Sequence, residues 1–520
     1  MRSSRISILA ATAAALLSST AFAHHMTPLP SHHGWDNSKQ GYVAPPRSNS
    51  GTWTGLAHAF PGSQFPDTSL QLTDGSVLVH GGCTADWYKL TPDNTGSYVN
   101  GTWTKEASMP SGYSPLYFAS QVLADGRVIV NGGEYINCSQ AFSKAGALYD
   151  PVANSWTNVN PPTGWTKIGD AQSVVLTDGT YMLANCCSTQ EAKATISGTT
   201  VTFASTGTGK ADINDEEGWT MLPNQTILTV DANRNLGGSS NNTEIYTDAN
   251  PSGSWAAGNN TANSLVDAGS HEIGPGPLLP NGLVFWIGGT AHTGVFDPSS
   301  GNWTAGPDGM TIGGQAMDSS DGPAVVLTCG RVLEQVSPGV FQTPSHFVEV
   351  TVTDPNTVTQ AQVNEPASAS GQSSYEGRLM MLPTGQVLWA SDVGDMQIYT
   401  PKKCNPPKSS KPKVKHVSAS LTVGSTNNAI SGTGFQGVTF GGYYGDDAQM
   451  SSNYPLVRIT NNGTSHVCYA RTHDHSRMGI SNGGTSSTSF DIPAGCETGA
   501  STLSVVVNGV ASAAKPVTLN

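Results

Sequence analysis

Charge is scarce in this chain: only 12% of its 520 residues are charged, and 24 Lys and Arg face 37 Asp and Glu. No cluster of basic residues interrupts that deficit, which excludes a surface built to hold nucleic-acid phosphates. Long apolar runs are lacking as well. Beyond residue 23 none approaches the roughly 18 residues that a spanning helix needs, so no membrane span is expected. What the chain has instead is glycine (59) and proline (32), the composition of a turn-rich all-β protein. Basic Arg2 and Arg5, apolar Ile8 to Leu17 and the small-x-small run Ala21-Phe22-Ala23 read as a signal peptide over 1–23. The expectation is a secreted or periplasmic protein that begins at His24. An irregular arm rich in Pro, Ser and His follows over 24–50, where His24, His25, His32 and His33 read as exposed polar side chains.

A short apolar strand, a tight turn and a second apolar strand then recur seven times. The turns lie at Asp74-Gly75, Asp125-Gly126, Asp178-Gly179, Asn224-Gln225, Asn281-Gly282, Cys329-Gly330 and Thr384-Gly385. Their spacing of about 50 residues is the kelch period, and predicts a seven-bladed kelch-type β-propeller over 51–402. Each unit continues into a Tyr/Phe-x-Pro segment and a Trp, as in Tyr149 to Trp156 and Phe296 to Trp303. The last unit lacks its Trp strand, and Gly51-Thr52-Trp53-Thr54 has the look of the missing piece, closing the ring and removing its open edge. A Lys/Pro linker at 403–412 leads to alternating apolar and polar segments over 413–520, consistent with an immunoglobulin-like β-sandwich. Eight cysteines in an exported chain predict disulfides. Cys468 with Cys496, in one segment, and Cys83 with Cys138, after the Gly-Gly of consecutive units, are the expected pairs.

In a ring, residues at one repeat offset converge on one axis. Eight positions before each turn stand Pro66, Tyr117, Asp170, Glu216, Ile273, Asp321 and Glu376, with Asp67 and Glu272 beside the two apolar exceptions. The offset predicts an acidic axial ring of Asp67, Asp170, Glu216, Glu272, Asp321 and Glu376, joined by Tyr117. Carboxylates so close must share protons, bind a cation or accept backbone hydrogen bonds.

A seven-bladed kelch-type propeller closed by an N-terminal strand and followed by an immunoglobulin-like, early-set domain resembles the galactose oxidase and glyoxal oxidase family. Members hold one copper with two tyrosines and two histidines, one tyrosine crosslinked to a cysteine. Tyr117, ahead of Asp125-Gly126-Arg127, is similar to the crosslinked tyrosine, and Tyr375, ahead of Leu382-Pro383-Thr384-Gly385, to the axial one. Glu376 stands where that family has a histidine. Arg471-Thr472-His473-Asp474-His475 is similar to the segment that delivers the other histidine. Tyr135 takes the place of an aromatic that covers the cofactor. The resemblance therefore implies a metal at Tyr117, Tyr375, Glu376, His473 and His475, with Tyr117, Tyr375 and Glu376 catalytic.

The first inner strand starts Gln64-Phe65-Pro66, without the crosslinking cysteine, so a Cys–Tyr radical cofactor is not expected. One metal ion is expected, with copper, iron, manganese, zinc and calcium all open. Three functions remain in view: a metal-dependent oxidoreductase acting on a small alcohol, aldehyde or carbohydrate; a non-catalytic carbohydrate- or surface-binding propeller; and a metal-assisted hydrolase or lyase using the acidic ring. A monomer with a small-molecule or carbohydrate partner is the expected working form.

Overall fold

Every turn read from the sequence closes in the same way. A leucine carbonyl accepts from the amide three residues on, pairing Leu72 with Gly75, Leu123 with Gly126, Leu176 with Gly179, Leu222 with Gln225, Leu279 with Gly282, Leu327 with Gly330 and Leu382 with Gly385. The donor has positive φ each time, between 70° and 91°. Glycine reaches that region without steric cost, and Gln225 is the exception. Its side chain compensates: Nε2 donates to the carbonyl of Ile480 at 2.9 Å, while Oε1 accepts from Thr177 Oγ1 at 2.6 Å.

The computed structural model describes residues 50–233, 241–441 and 450–520. The leader, the N-terminal histidines and the segment Tyr443-Tyr444-Gly445-Asp446-Asp447 lie outside them. From 52 to 400 the described chain is all-β, in successive antiparallel meanders. One example runs Pro66–Gln71, Val77–Gly81, Trp87–Thr91 and Thr102–Lys105; another runs Ala119–Val122, Val128–Asn131, Gly146–Asp150 and Ser155–Asn158. Such four-stranded meanders are the repeating element of propellers. The strand Thr52–Gly55 pairs with Met396–Thr400, so the first strand completes the last meander.

The second strands of the first four meanders are buried along their whole length, which is why they read as apolar runs. The aromatic-to-Trp motif is a cross-strand pair: Tyr149 faces Trp156, Tyr246 faces Trp255, Phe296 faces Trp303, and Tyr399 faces Trp53. Ring centroids in these pairs lie 4.8 to 5.4 Å apart, within the range for favourable aromatic contact.

Beyond residue 412 the strands wrap a separate apolar core that includes Ile430, Phe435, Val457, Phe490 and Leu503. This part packs on the turn end of the meanders. Thr472 donates to the carbonyl of Thr73 at 3.1 Å, Met478 to Thr177 at 2.9 Å, and Leu278 to Phe440 at 2.6 Å. The opposite end, where the inner strands begin, is left to the acidic residues. Disulfides join Cys83 to Cys138 and Cys468 to Cys496, as expected from the sequence, and also Cys329 to Cys404. Among the described residues no helix is long and apolar enough to cross a membrane.

Candidate metal centre

The inner strands begin with an unusual backbone. Tyr117, Glu216, His271 and Asp321 have φ of 52°, 56°, 69° and 54°, a left-handed region that residues with a Cβ occupy uncommonly. Such conformations cost on the order of 1–3 kcal/mol each and cluster at functional sites. The kinks at Tyr117, Glu216 and Asp321 share one repeat offset, and that at His271 falls two residues ahead of it.

Three of the six predicted ring acids meet. Ligand oxygens of Glu216, Glu272 and Asp321, from three successive meanders, lie within 4.8 Å of one another. The other three do not join this group. Asp67 pairs with Arg378, with Nη2 and Oδ1 3.1 Å apart, and its other oxygen faces His80 at 3.5 Å. Burial opposes the charge on Asp67, yet the Arg378 guanidinium and His80 together hold its pKa below the ordinary carboxylate value. Asp67, expected in the axial acidic ring, is instead a buried structural ion held by Arg378. Glu376 accepts from the Ser373 amide at 2.6 Å, closing the 3-10 turn Ser374–Glu376 that precedes the last inner strand. Asp170 acts electrostatically on Tyr135 and Cys186.

Aromatic hydroxyls surround the acids. The Tyr117 and Tyr135 rings meet edge to face at 5.9 Å, and the Arg378 guanidinium lies 5.6 Å from the centre of the Tyr117 ring. Tyr375 packs on Phe341 at 5.2 Å, and Arg378 Nη1 donates to its carbonyl at 2.6 Å. Burial, followed by the charges of Glu376, Asp392 and Asp321, pushes the Tyr375 hydroxyl far above its ordinary pKa. Glu134, which follows Gly132-Gly133, is pushed up to about 9 by burial and then by Glu216. Burial raises Glu376 as well. This end of the protein therefore holds protons that ordinary carboxyls would release.

The histidines are elsewhere. His475 donates its amide to Ala124 at 2.9 Å, beside the turn that ends the strand beginning near Tyr117. Seven residues of extended chain separate those ends, roughly 20 Å at 3.3 Å per residue. His473 is held by Asp474 at 2.7 Å and Asp491 at 3.2 Å, and His475 by Thr488 at 2.9 Å while it stacks on Tyr454. The expected five-residue set of Tyr117, Tyr375, Glu376, His473 and His475 is thus divided between the two ends. His473 ends the strand Val467–His473, which pairs with Thr485–Asp491, and His475 hydrogen-bonds to Thr488 of that same partner strand. Cys83 is committed to Cys138 and so offers Tyr117 no thiol for a crosslink. A two-tyrosine, two-histidine copper centre does not fit the residues present.

Sequence reasoning missed several groups at the acidic end. Cys186 and Cys187 Sγ lie 3.5 and 3.6 Å from Asp215 Oδ1, and neither cysteine is in a disulfide. Asn185 and Cys186 stand where other repeats have Gly-Gly, and Cys187 takes the place that Cys83 has in the first repeat, the signal that could have flagged them. A further buried trio, Asp212, Glu217 and Asp231, brings its oxygens within 4.8 Å. There the Lys210 ammonium, 2.8 Å from both Glu217 and Glu244, already supplies the positive charge.

No family model matches this sequence, and no curated protein matches it. Among solved structures, it is similar to a fungal alcohol oxidase of the AA5 family in complex with copper, at 15% identity, covering 88% of this chain and 85% of that one with a TM-score of 0.44. It is similar to virginiamycin B lyase from Staphylococcus aureus at 8% identity, covering 67% and 98% of the two chains with a TM-score of 0.44. A structure of YCF48 bound to D1 peptide shares 11% identity over 69% and 98% of the two chains, with a TM-score of 0.43. At these scores the likenesses assign no residue of this chain a role.

Proposed function

We propose that this chain is a metal-dependent enzyme, built as a seven-bladed kelch-type propeller with an immunoglobulin-like early-set domain. Glu216, Glu272 and Asp321 hold one hard divalent cation, calcium or manganese, at the open end of the axis. The substrate is a small oxygen-rich molecule such as a carbohydrate, and the reaction is a hydrolysis or elimination. One observation carries the reading: three carboxylates from three separate meanders bring their oxygens within 4.8 Å. All-oxygen donor sets suit hard cations, and an ion there offsets a repulsion that the fold otherwise has to bear.

The surrounding groups favour chemistry over a purely structural ion. A cation at the cluster polarises a substrate oxygen. Glu134, held protonated with a pKa of about 9 in part by the charge of Glu216, is brought toward the working range of an acid–base catalyst once a cation offsets that charge. Tyr135 and Tyr375 supply hydroxyl donors that stay neutral, because burial disfavours the phenolate. The oxidation implied by the family resemblance has no equivalent support, since the imidazoles it needs sit at the turn end.

The test is metal analysis of the full chain after dialysis against calcium, manganese, zinc and copper, followed by a screen of small carbohydrates and lactones with the loaded protein. One equivalent of calcium or manganese is expected, lost in Glu272→Gln together with any turnover. Equal metal content in Glu272→Gln and the parent would refute the site. Turnover that survives in metal-free protein would refute the mechanism.

A further inference from the structure

We propose that Cys186, Cys187 and Asp215 form a second metal site, which takes a borderline or soft cation, zinc or copper(I). The site needs nothing from the acid cluster and stands independently of the function proposed above.

Both thiols donate to Asp215 Oδ1, and the same spacing of ligand atoms fits an ion's coordination shell once the protons leave. Zinc lies about 2.3 Å from a thiolate and about 2.0 Å from a carboxylate oxygen, so neighbouring S and O ligands in a tetrahedron stand about 3.5 Å apart. The two sulfurs lie 3.5 and 3.6 Å from Asp215 Oδ1, and all three ligand atoms lie within 4.8 Å of one another. Adjacent side chains on extended backbone point to opposite faces. Here Cys187 takes a φ of 63°, and both sulfurs reach the same carboxylate.

The backbone holds that arrangement. Cys186 donates to the Ile168 carbonyl, Cys187 to Asn214 and Asn214 back to Ser188, each at 2.8 Å. Gly169 makes room, because a Cβ there would stand 3.0 Å from the Cys186 Cβ. All six other cysteines are disulfide-bonded, which leaves this adjacent pair as the protein's two free thiols. Lys167 and His271 act on the cluster from neighbouring segments: Lys167 feels both thiols, and His271 faces Asp215. Binding converts two thiols and a divalent ion into a dithiolate complex, and two protons leave to solvent. A monovalent copper ion displaces the same protons.

The full chain, reduced and freed of metal, is titrated with cobalt(II) as the probe. One equivalent should produce thiolate-to-cobalt charge-transfer absorption that zinc abolishes. The band should vanish in Cys186→Ser and in Cys187→Ser, and binding should weaken by more than about tenfold in Asp215→Asn. Glu272→Gln should leave the band intact, and the cysteine variants should keep the calcium response of the acid cluster, which also shows that they fold. Failure here and failure of the acid site are therefore distinguishable. A reduced protein with two titratable thiols and no charge-transfer band overturns the proposal. So does a band that persists without the cysteines, or an exported protein whose Cys186 and Cys187 are joined as a metal-free disulfide.

Discussion

Replacing Asp321 with Asn should change stability in opposite directions with and without a cation. At 4.8 Å and an effective dielectric constant of about 20, two ionised carboxylates repel by roughly 3 kcal/mol. Asp321 faces two such partners, Glu216 and Glu272, and proton sharing among the three reduces the total below the sum. Asn suits the test because it is among the residues that tolerate the left-handed backbone at this position, so the swap removes charge and keeps the turn. In chelator the variant should therefore be more stable by about 1–3 kcal/mol. An unfolding entropy of about 2.1 cal/mol/K per residue makes that a rise of about 1–3 °C in Tm for a single cooperative transition. Calcium or manganese at about 100 times its Kd should stabilise the parent by about 2.7 kcal/mol, roughly 3 °C, and leave the variant unmoved. Scanning calorimetry in chelator and in cation reads both arms. An Asn variant that is less stable in chelator and still responds to cation would refute both the repulsion and the site.

Four further outcomes follow from individual contacts. Arg378→Met strands the buried Asp67 charge, both side chains being 1% exposed, and should cost about 3–5 kcal/mol in chemical denaturation; adding Asp67→Asn should recover part of it. His475 is held down to about 3 by burial and then by His473, so the folded state binds its proton later than the unfolded chain does. Stability tied to it is present above about pH 6.5 and lost as pH falls toward 3, and His475→Gln should flatten that limb without changing metal content. Glu134 has the opposite sign: with a folded pKa of about 9 against an ordinary 4.5, the metal-free protein should lose stability as pH rises between those values, and Glu134→Gln should remove that slope. Opening the Cys83–Cys138 link with Cys83→Ser and Cys138→Ser releases a loop of 55 residues, which chain entropy puts at about 4 kcal/mol, while metal content stays the same.

Much of the architecture was legible because it is written locally. Turn glycines, continuous apolar strands and aromatic-to-Trp pairs each follow from backbone sterics and burial within one repeat, so reading seven turns located the strands around them. The closing strand was legible for the same reason, since Trp53 fits beside Tyr399 as Trp156 fits beside Tyr149. The two predicted disulfides came from segments that the repeat or the domain had already placed together. Cys329–Cys404 was not foreseen, because it ties a turn to the linker, a contact that no repeat offset encodes. The offset also named the acids at the inner-strand starts without separating them. Arg378, which claims Asp67, sits two residues beyond Glu376 in sequence and looks like an ordinary strand residue there.

The sequence by itself determined the all-β repeat and the end of the strands at which acids accumulate. These follow from periodic side chains and short-range backbone geometry. Only the tertiary structure decided which acids meet. Left-handed kinks and neighbouring charges, which no linear spacing reveals, leave Glu216, Glu272 and Asp321 together and bind Asp67 and Glu376 to other partners. It also decided that His473 and His475 belong to the turn end, because the direction in which a domain docks is set by surfaces formed after the chain has folded.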